Sequence, residues 1–164
     1  MNGAQTVPLR VAFTHNLKQS QAEAEAEFDT PETVEAIRAC LTELGHTVDL
    51  VEVSGPPAMA IARLEALNPD LVFNTAEGRL GRYREAFYPG IFENLGLPFT
   101  GSDPYVCTVT LDKNLTKTLL APHGIRGARG VFVTRPEEAA KLDLRFPVIL
   151  KPNFEGSSKG ITQE

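Results

Sequence analysis

Lys151 and the loop that follows it are the residues of this chain whose types and spacing best fit phosphate chemistry. Lys151 ends a short apolar run, Val148-Ile-Leu150, and precedes the loop Glu155-Gly-Ser-Ser-Lys-Gly160. Small residues allow backbone N–H groups to approach phosphate oxygens closely, and a lysine supplies positive charge. The loop lacks the Gly-Lys-Ser/Thr ending of a P-loop, which excludes that motif.

Other charged residues of the chain each have two interpretations. Lys113 and Lys117 lie four residues apart, which is typical of a solvated helix face but would also place an ammonium group beside a ligand. Lys151 could itself extend from an edge strand into water. Three arginines follow the third predicted strand; we expect a solvent-exposed loop face, and the alternative is binding of a substrate carboxylate by a planar guanidinium. These arginines are Arg79, Arg82 and Arg84.

The histidines and cysteines do not form a metal-binding pattern. His15 is either a polar strand terminus or a ligand-facing donor, and both interpretations stay open. His46 and His123 lie beside glycines and are predicted to interact with helix ends. Cys40 and Cys107 have apolar neighbours and no Cys-x-x-Cys spacing, so we expect reduced thiols in the core. No metal site is predicted within the chain.

Composition is typical of a globular protein. The 164 residues are 42% hydrophobic and 23% charged, and 16 basic against 21 acidic residues give a formal net charge of −5. This balance makes nucleic acid an unexpected partner. No apolar signal segment or membrane-spanning stretch is present in the sequence, so we expect a cytoplasmic protein without a membrane partner.

The elements that position these residues alternate between strand and helix. Strands are predicted at 9–13, 48–53 and 70–74, and helices at 31–44 and 57–67. Thr30 and Pro31 supply a cap and a first helical residue, and Gly45 supplies the stop. This βαβαβ order predicts a parallel, doubly wound α/β sheet, whose ligands collect at the carboxyl ends of the strands.

The second half of the chain is predicted to begin another lobe. A helix should start near Tyr88, because Pro89 is tolerated only in a first turn. Leu111, Leu115 and Leu119 mark one face of a further helix. After Gly124 the patterns predict strands at 131–133 and 148–150, with a helix starting at Pro136 between them.

Several sequence blocks resemble one family when taken in order. They are Gly96-Leu-Pro-Phe-Thr-Gly-Ser102, Leu111-Asp-Lys113 with Thr116-Lys-Thr-Leu-Leu120, Pro147-Val-Ile-Leu-Lys-Pro152 and Glu155-Gly-Ser-Ser-Lys-Gly160. Their order and spacing resemble the D-alanine–D-alanine ligases of the ATP-grasp superfamily. The resemblance implies a Rossmann-like N-terminal domain over 1–123 and the start of the first ATP-grasp lobe over 124–164.

The resemblance also implies roles for individual residues. Lys113 and Lys151 would contact the phosphates of ATP, and the loop amides would close over the γ-phosphate. Glu27 would bind the ammonium group of the first amino-acid substrate, with Glu23 and Glu25 as competing matches. The implied catalytic residues are Glu27 and Ser157, and the implied nucleotide-binding residues are Lys113, Lys151, Glu155, Gly156, Ser157 and Ser158. Mg²⁺ is implied as a cofactor whose ligands lie downstream of position 164.

The chain departs from the family pattern in ways that affect the expected function. Glu77-Gly78 stands where the family usually has His-Gly, which leaves open a ligase for other amino or hydroxy acids. Because the metal-binding acids are expected downstream, a further alternative is a fragment that binds a ligand or partner without catalysis. Apolar surface exposed by such a truncation would favour self-association, and a homodimer is a further expectation.

Overall fold

The computed structural model describes residues 7–139, 142–143 and 145–162. The chain divides into two compact units, of which the first ends at Thr108 and the second begins at Val109. That functional domains span 1–123 and 124–164 remains a prediction.

The first unit contains a parallel sheet and helices in the predicted order. Its elements are β1 Arg10–His15, α1 Pro31–Glu43, β2 Thr47–Glu52, α2 Pro57–Leu67, β3 Leu71–Asn74 and α3 Arg84–Asn94, with a 3-10 turn at Glu23–Glu25. The strand order is β2-β1-β3, and β1 pairs in parallel with both neighbours, with Val11 opposite Val48 and Leu71. The predicted βαβαβ order and α/β class are therefore confirmed.

The central strand is buried on both faces. Val11, Ala12, Phe13 and Thr14 are fully buried, as expected for a middle strand of a parallel sheet covered by helices. Ala12 packs in a cluster of buried side chains from β3, α2 and α3 that includes Val72, Leu64, Tyr88 and Phe92. This core holds the carboxyl ends of β1 and β3 side by side.

The predicted signals of α1 are confirmed. The helix begins at Pro31, the Thr30 side chain accepts a hydrogen bond from the Thr33 N–H, and Gly45 follows the helix with a φ of 94°. A positive φ at this position is readily adopted only by glycine.

Thr30→Ala is expected to lower the free energy of unfolding by about 1 kcal/mol, because the Thr33 N–H loses its acceptor. Urea denaturation of the chain measures this change, and Thr30→Ser, which keeps the hydroxyl, serves as the control. Equal destabilisation by both variants would show that the hydroxyl does not cap the helix.

The start of α3 was predicted wrongly. The helix begins at Arg84, four residues before Tyr88, and Pro89 lies inside it. Arg84, Ala86 and Tyr88 are all buried, and their packing extends the helix across a proline that local propensity would place in the first turn.

From Pro104 onward the chain contains short helices and long irregular segments; α4 begins in the first unit, whereas α5 and α6 lie in the second. α4 spans Pro104–Leu111, α5 spans Lys113–Leu120, and α6 spans Pro136–Ala139, with a 3-10 turn at Ala121–His123. The helix start at Pro136 is confirmed. The leucines predicted to share one helix are divided between α4 and α5, because the Asp112 side chain caps α5 by accepting from the Leu115 N–H.

The predicted strands at 131–133 and 148–150 are absent from the described residues. Ile149 and Leu150 are 65% and 85% exposed, so the expected burial of this run was also wrong. A strand requires a hydrogen-bonded neighbour, and within the described ranges the ladder consists of β1, β2 and β3 alone.

The cysteines differ from the core thiols that were expected. Cys40 is exposed on α1, and Cys107 is partly buried with its thiol donating to the Ser102 carbonyl. Cys40 is exposed because α1 buries Val34 and partly buries Ile37 and Leu41 on another face. None of the helices in the described part of the chain is both long and apolar enough to cross a bilayer.

Candidate functional site

A cavity of about 200 Å³ lies within the second unit. Its walls come from the first residue of α5 and from the segment 151–161; they are Lys113, Lys151, Pro152, Glu155, Gly156, Ser157, Ser158, Lys159 and Ile161. The structure thus brings together all six residues that were predicted to bind nucleotide. Three lysines against one glutamate give the cavity wall an excess of positive charge, as an anion requires.

Lys113 and Lys151 differ in how they are held. The Lys113 ammonium donates to the backbone carbonyls of Glu155 and Asn153, the latter at 3.4 Å. Lys151 is exposed, and its ammonium has no hydrogen-bond or ion-pair partner among the described residues. Lys151 is therefore available to a ligand, whereas Lys113 also fixes the loop.

Lys117 does not share this arrangement. Its ammonium donates to the Ala128 carbonyl at 3.1 Å, and its side chain lies against Gly127 and Gly130. Lys117 is exposed and absent from the cavity wall, in keeping with the solvated helix face that its position predicts.

The loop that closes the cavity has an unusual backbone. Ser157 and Ser158 have φ values of 43° and 62°, a region that costs an L-residue about 1–2 kcal/mol. Local contacts hold them there: the Lys159 N–H donates to Gly156 and the Ile161 N–H to Ser158, while Lys159 pairs with Glu155 at 3.0 Å. Strain retained in this way is typical of ligand-binding loops.

The first unit contains a separate cluster of charged side chains around Arg84. The Arg84 guanidinium donates to both carboxylate oxygens of Glu27 at 3.0–3.3 Å, and each side chain is 6% exposed. The expectation of a solvent-exposed face is therefore wrong for Arg84, whose carboxylate partner belongs to this chain. Arg79 and Arg82 are exposed as expected.

Two further glutamates complete this cluster. Carboxylate oxygens of Glu27, Glu77 and Glu85 lie within 4.8 Å of one another. Burial raises the pKa of Glu77 to about 7, with added repulsion from Glu85, Glu27 and Asp29, and Arg84 opposes the shift. Three carboxylates at this spacing have the geometry of a cation site, but the Arg84 guanidinium already supplies positive charge there.

The cluster is located where β1 and β3 end. Asn16, directly after β1, accepts a hydrogen bond from the Glu77 N–H at 2.9 Å through its side-chain oxygen. The Thr75 hydroxyl donates to the Asp29 carboxylate at 2.5 Å. In a sheet of order β2-β1-β3 this edge is the topological switch point, where ligands of doubly wound folds bind.

The three competing glutamates of the 18–29 segment occupy different positions. Glu27 joins the cluster, whereas the Glu25 carboxylate accepts from the Gln19 and Ser20 N–H groups, and Glu23 is exposed. The catalytic role of Glu27 remains a prediction, as do the roles of the cavity residues. Asp29, Thr75 and Glu85 were missed, although the position of Thr75 directly after a predicted strand was a usable signal.

His15 is a buried residue at the end of β1. The residue is 3% exposed, and its Nδ1 atom lies 3.2 Å from the Phe13 carbonyl oxygen. His46 receives a hydrogen bond from the Leu9 N–H at Nδ1.

Glu77 is expected to make stability depend on pH. Because its pKa is higher in the folded protein than the ordinary value of 4.5, the folded state binds more protons between about pH 4.5 and about pH 7. The contribution of Glu77 is therefore fully present below about pH 4.5 and is lost as the pH rises through about 7. Glu77→Gln should flatten this decline in urea denaturation, whereas Glu65→Gln on the exposed face of α2 should preserve it. An unchanged decline in Glu77→Gln would assign the pH dependence to another group.

Comparison with known proteins identifies relatives of the chain. No protein-family model matches it. Over 127 residues it is 40% identical to the D-alanine–D-alanine ligase of Gluconobacter oxydans (strain 621H), an alignment that covers 77% of this chain and 41% of that protein. The chain is homologous to the N-terminal part of D-alanine–D-alanine ligases. It therefore spans less than half the length of this relative.

Solved ligase structures share the fold. The D-alanine–D-alanine ligase from Bacillus anthracis complexed with ATP superposes with a TM-score of 0.63 at 22% identity, over 89% of this chain and 48% of that one. The VanG D-Ala:D-Ser ligase from Enterococcus faecalis gives the same TM-score at 19% identity, over 95% of this chain and 55% of that one. The α/β fold predicted from the sequence is thereby confirmed.

Proposed function

We propose that this chain is the N-terminal part of an ATP-dependent carboxylate–amine ligase, and that its second unit supplies one wall of the nucleotide site. The observation that supports this most is the cavity formed by Lys113, Lys151 and the 155–160 loop. It combines ammonium groups with a strained loop of small residues, in a chain homologous to ligases.

The donors of this wall fit a polyphosphate. The Lys151 ammonium is exposed on the cavity wall and would neutralise phosphate charge, and Ser157 and Ser158 are exposed residues of the same wall. Phosphoryl transfer needs positioning and charge neutralisation more than a protein nucleophile. This donor set therefore suits transfer of the γ-phosphate of ATP to a substrate carboxylate, with release of ADP. An amine then attacks the acyl-phosphate, the bond to phosphate breaks, and a peptide bond forms with release of inorganic phosphate.

Mg²⁺ would neutralise further phosphate charge in such a reaction. Within the cavity the available carboxylate is that of Glu155, which pairs with Lys159. This donor set fits phosphate rather than a metal ion. We therefore expect the metal ligands from residues outside the chain.

The carboxylate cluster favours a second candidate, a ligase of the same mechanism for other amino or hydroxy acids. Glu77 stands where the family usually has histidine, and with Glu27 and Glu85 it makes this region more acidic. The similarity to a D-Ala:D-Ser ligase is consistent with variation of the second substrate. A soluble small-molecule substrate is common to both candidates, and assembly as a homodimer is a further proposal.

Amino-acid-dependent ADP formation tests this function. The full-length protein is incubated with ATP and Mg²⁺ and with D-alanine, D-serine or D-lactate, and products are identified by mass spectrometry. A condensed product with ADP supports the ligase, and its identity separates the two candidates. ADP formation that no amino or hydroxy acid stimulates would contradict both. Turnover by the 164-residue chain alone would contradict the expectation that further residues are required.

A further inference from the structure

Asn153 joins the cavity loop to the start of α5. Its side-chain N–H donates to the Asp112 carboxylate at 2.7 Å, and its side-chain oxygen accepts from the Asn114 N–H at 2.9 Å. Its backbone carbonyl accepts from the Lys113 N–H at 3.2 Å. One asparagine therefore contacts three successive residues that lie about 40 positions earlier in the sequence.

These contacts satisfy N–H groups at the α5 N-terminus. A helix begins with four N–H groups that lack partners within the helix. Asn153 accepts from two of them, those of Lys113 and Asn114, and the Asp112 carboxylate accepts from a third, the Leu115 N–H. The Thr116 N–H donates to the Asp112 carbonyl, which is the first hydrogen bond within the helix. The start of α5 therefore offers the cavity the Lys113 ammonium rather than free backbone donors.

The same contacts fix the loop at its first residues. Asn153 lies two positions after Lys151 and two before Glu155, whose carbonyl accepts from the Lys113 ammonium. We propose that Asn153 is a positioning residue that anchors the 155–160 loop to α5, so that Lys113, Lys151 and the loop amides face one cavity. The consequence for nucleotide binding rests on the proposed function, whereas the anchoring itself does not.

Asn153→Asp tests the anchor with almost no change of shape. The new carboxylate still accepts from the Asn114 N–H, but it faces Asp112 without a donor and with like charge. Hydrogen exchange of the Lys159 and Ile161 amides, which close the loop onto Gly156 and Ser158, should accelerate roughly tenfold. Asn153→Ala, which removes both side-chain hydrogen bonds without adding charge, should have a similar effect.

The exchanged double variant, Asp112→Asn with Asn153→Asp, tests whether like charge between these two side chains loosens the loop. It removes the like charge between the two side chains. Because one Asp112 oxygen accepts from both the Asn153 side chain and the Leu115 N–H, an asparagine at 112 can replace only one of these two hydrogen bonds, and loop exchange should lie between that of the wild type and that of Asn153→Asp. Asn114→Ala keeps the N–H that Asn153 contacts and should leave exchange unchanged. Wild-type exchange in Asn153→Asp, or equally fast exchange in the single and double variants, would overturn the proposal.

Kinetics of the full-length protein then separate anchoring from nucleotide binding. Asn153→Asp should raise the KM for ATP roughly tenfold, with a smaller effect on the KM for the amino acid, and the double variant should restore the KM for ATP in part. An unchanged KM for ATP despite a loosened loop would overturn the positioning role. If the wild type forms no ADP, the proposed function fails, and hydrogen exchange of the chain still decides whether Asn153 anchors the loop.

Discussion

Lys151→Ala is expected to reduce amino-acid-dependent ADP formation by the full-length protein roughly 10²- to 10³-fold in kcat/KM for ATP. The Lys151 ammonium lines the cavity without a partner among the described residues, so its full charge is available to a bound phosphate. When the ammonium is removed, the negative charge of the phosphate group being transferred is no longer neutralised in this partly enclosed site. A coupled ADP assay over a range of ATP concentrations measures kcat and KM separately.

Lys117→Ala is the matched control for this prediction. It removes an ammonium from the same unit, but one that donates to the Ala128 carbonyl away from the cavity wall. We expect it to retain activity close to that of the wild type. Turnover by Lys151→Ala equal to that of Lys117→Ala would remove Lys151 from the site and with it the main support for the nucleotide cavity.

Gly78→Ala is expected to destabilise the first unit by about 3 kcal/mol or more. A Cβ at this position would lie 2.2 Å from the Arg84 carbonyl oxygen, and Gly78 has a φ of 70°. The substituted residue must therefore displace the first turn of α3, which also carries the guanidinium that pairs with Glu27. Urea denaturation measures the loss. The urea concentration at the unfolding midpoint should fall, while the dependence of the free energy of unfolding on urea concentration should stay the same.

Gly81→Ala separates the backbone strain from the steric clash. Gly81 also has a positive φ, 88°, but a Cβ there would meet nothing within 4 Å. This variant should lose only about 1 kcal/mol, the cost of a left-handed conformation. Equal losses in the two variants would show that the close approach of Gly78 to Arg84 is not what makes glycine necessary.

The buried pair of Arg84 and Glu27 affects which substrates the first unit could accept. Arg84 is satisfied by a carboxylate of its own chain, which removes the main reason to expect it to bind a substrate carboxylate. Glu27, Glu77 and Glu85 outnumber this single guanidinium, and one of them, Glu77, has a pKa raised to about 7. The charge of this cluster therefore changes near neutral pH.

Local sequence patterns were sufficient for most of the first unit. The start of α1 at Pro31 and the bounds of α2 follow from capping residues, prolines and the spacing of apolar residues. All of these signals extend over only one or two turns of helix. The parallel order of the strands follows from their alternation with helices. These features depend on interactions between residues that are close in the sequence, so they can be predicted from a single sequence.

The cavity residues could be predicted, but the environment of Lys151 could not. The resemblance of ordered blocks brought Lys113 and the 155–160 loop into one hypothesis, and the structure places them around one cavity. The strand expected before Lys151 does not form in the described residues, since Val148–Leu150 has no hydrogen-bonded neighbour there. Apolar composition alone cannot supply such a partner.

The sequence by itself determined the class of fold, the start of α1 and the bounds of α2, and it grouped the residues that are proposed to contact phosphate. The tertiary structure decided that Arg84 is buried against Glu27, that Glu77 has a raised pKa, and that Asn153 satisfies the start of α5. The pairs involved lie 57 and 39 positions apart for Arg84–Glu27 and Asn114–Asn153. Hydrophobic spacing and capping signals report only interactions within a few residues, whereas burial and charge pairing depend on which distant segments the fold brings into contact.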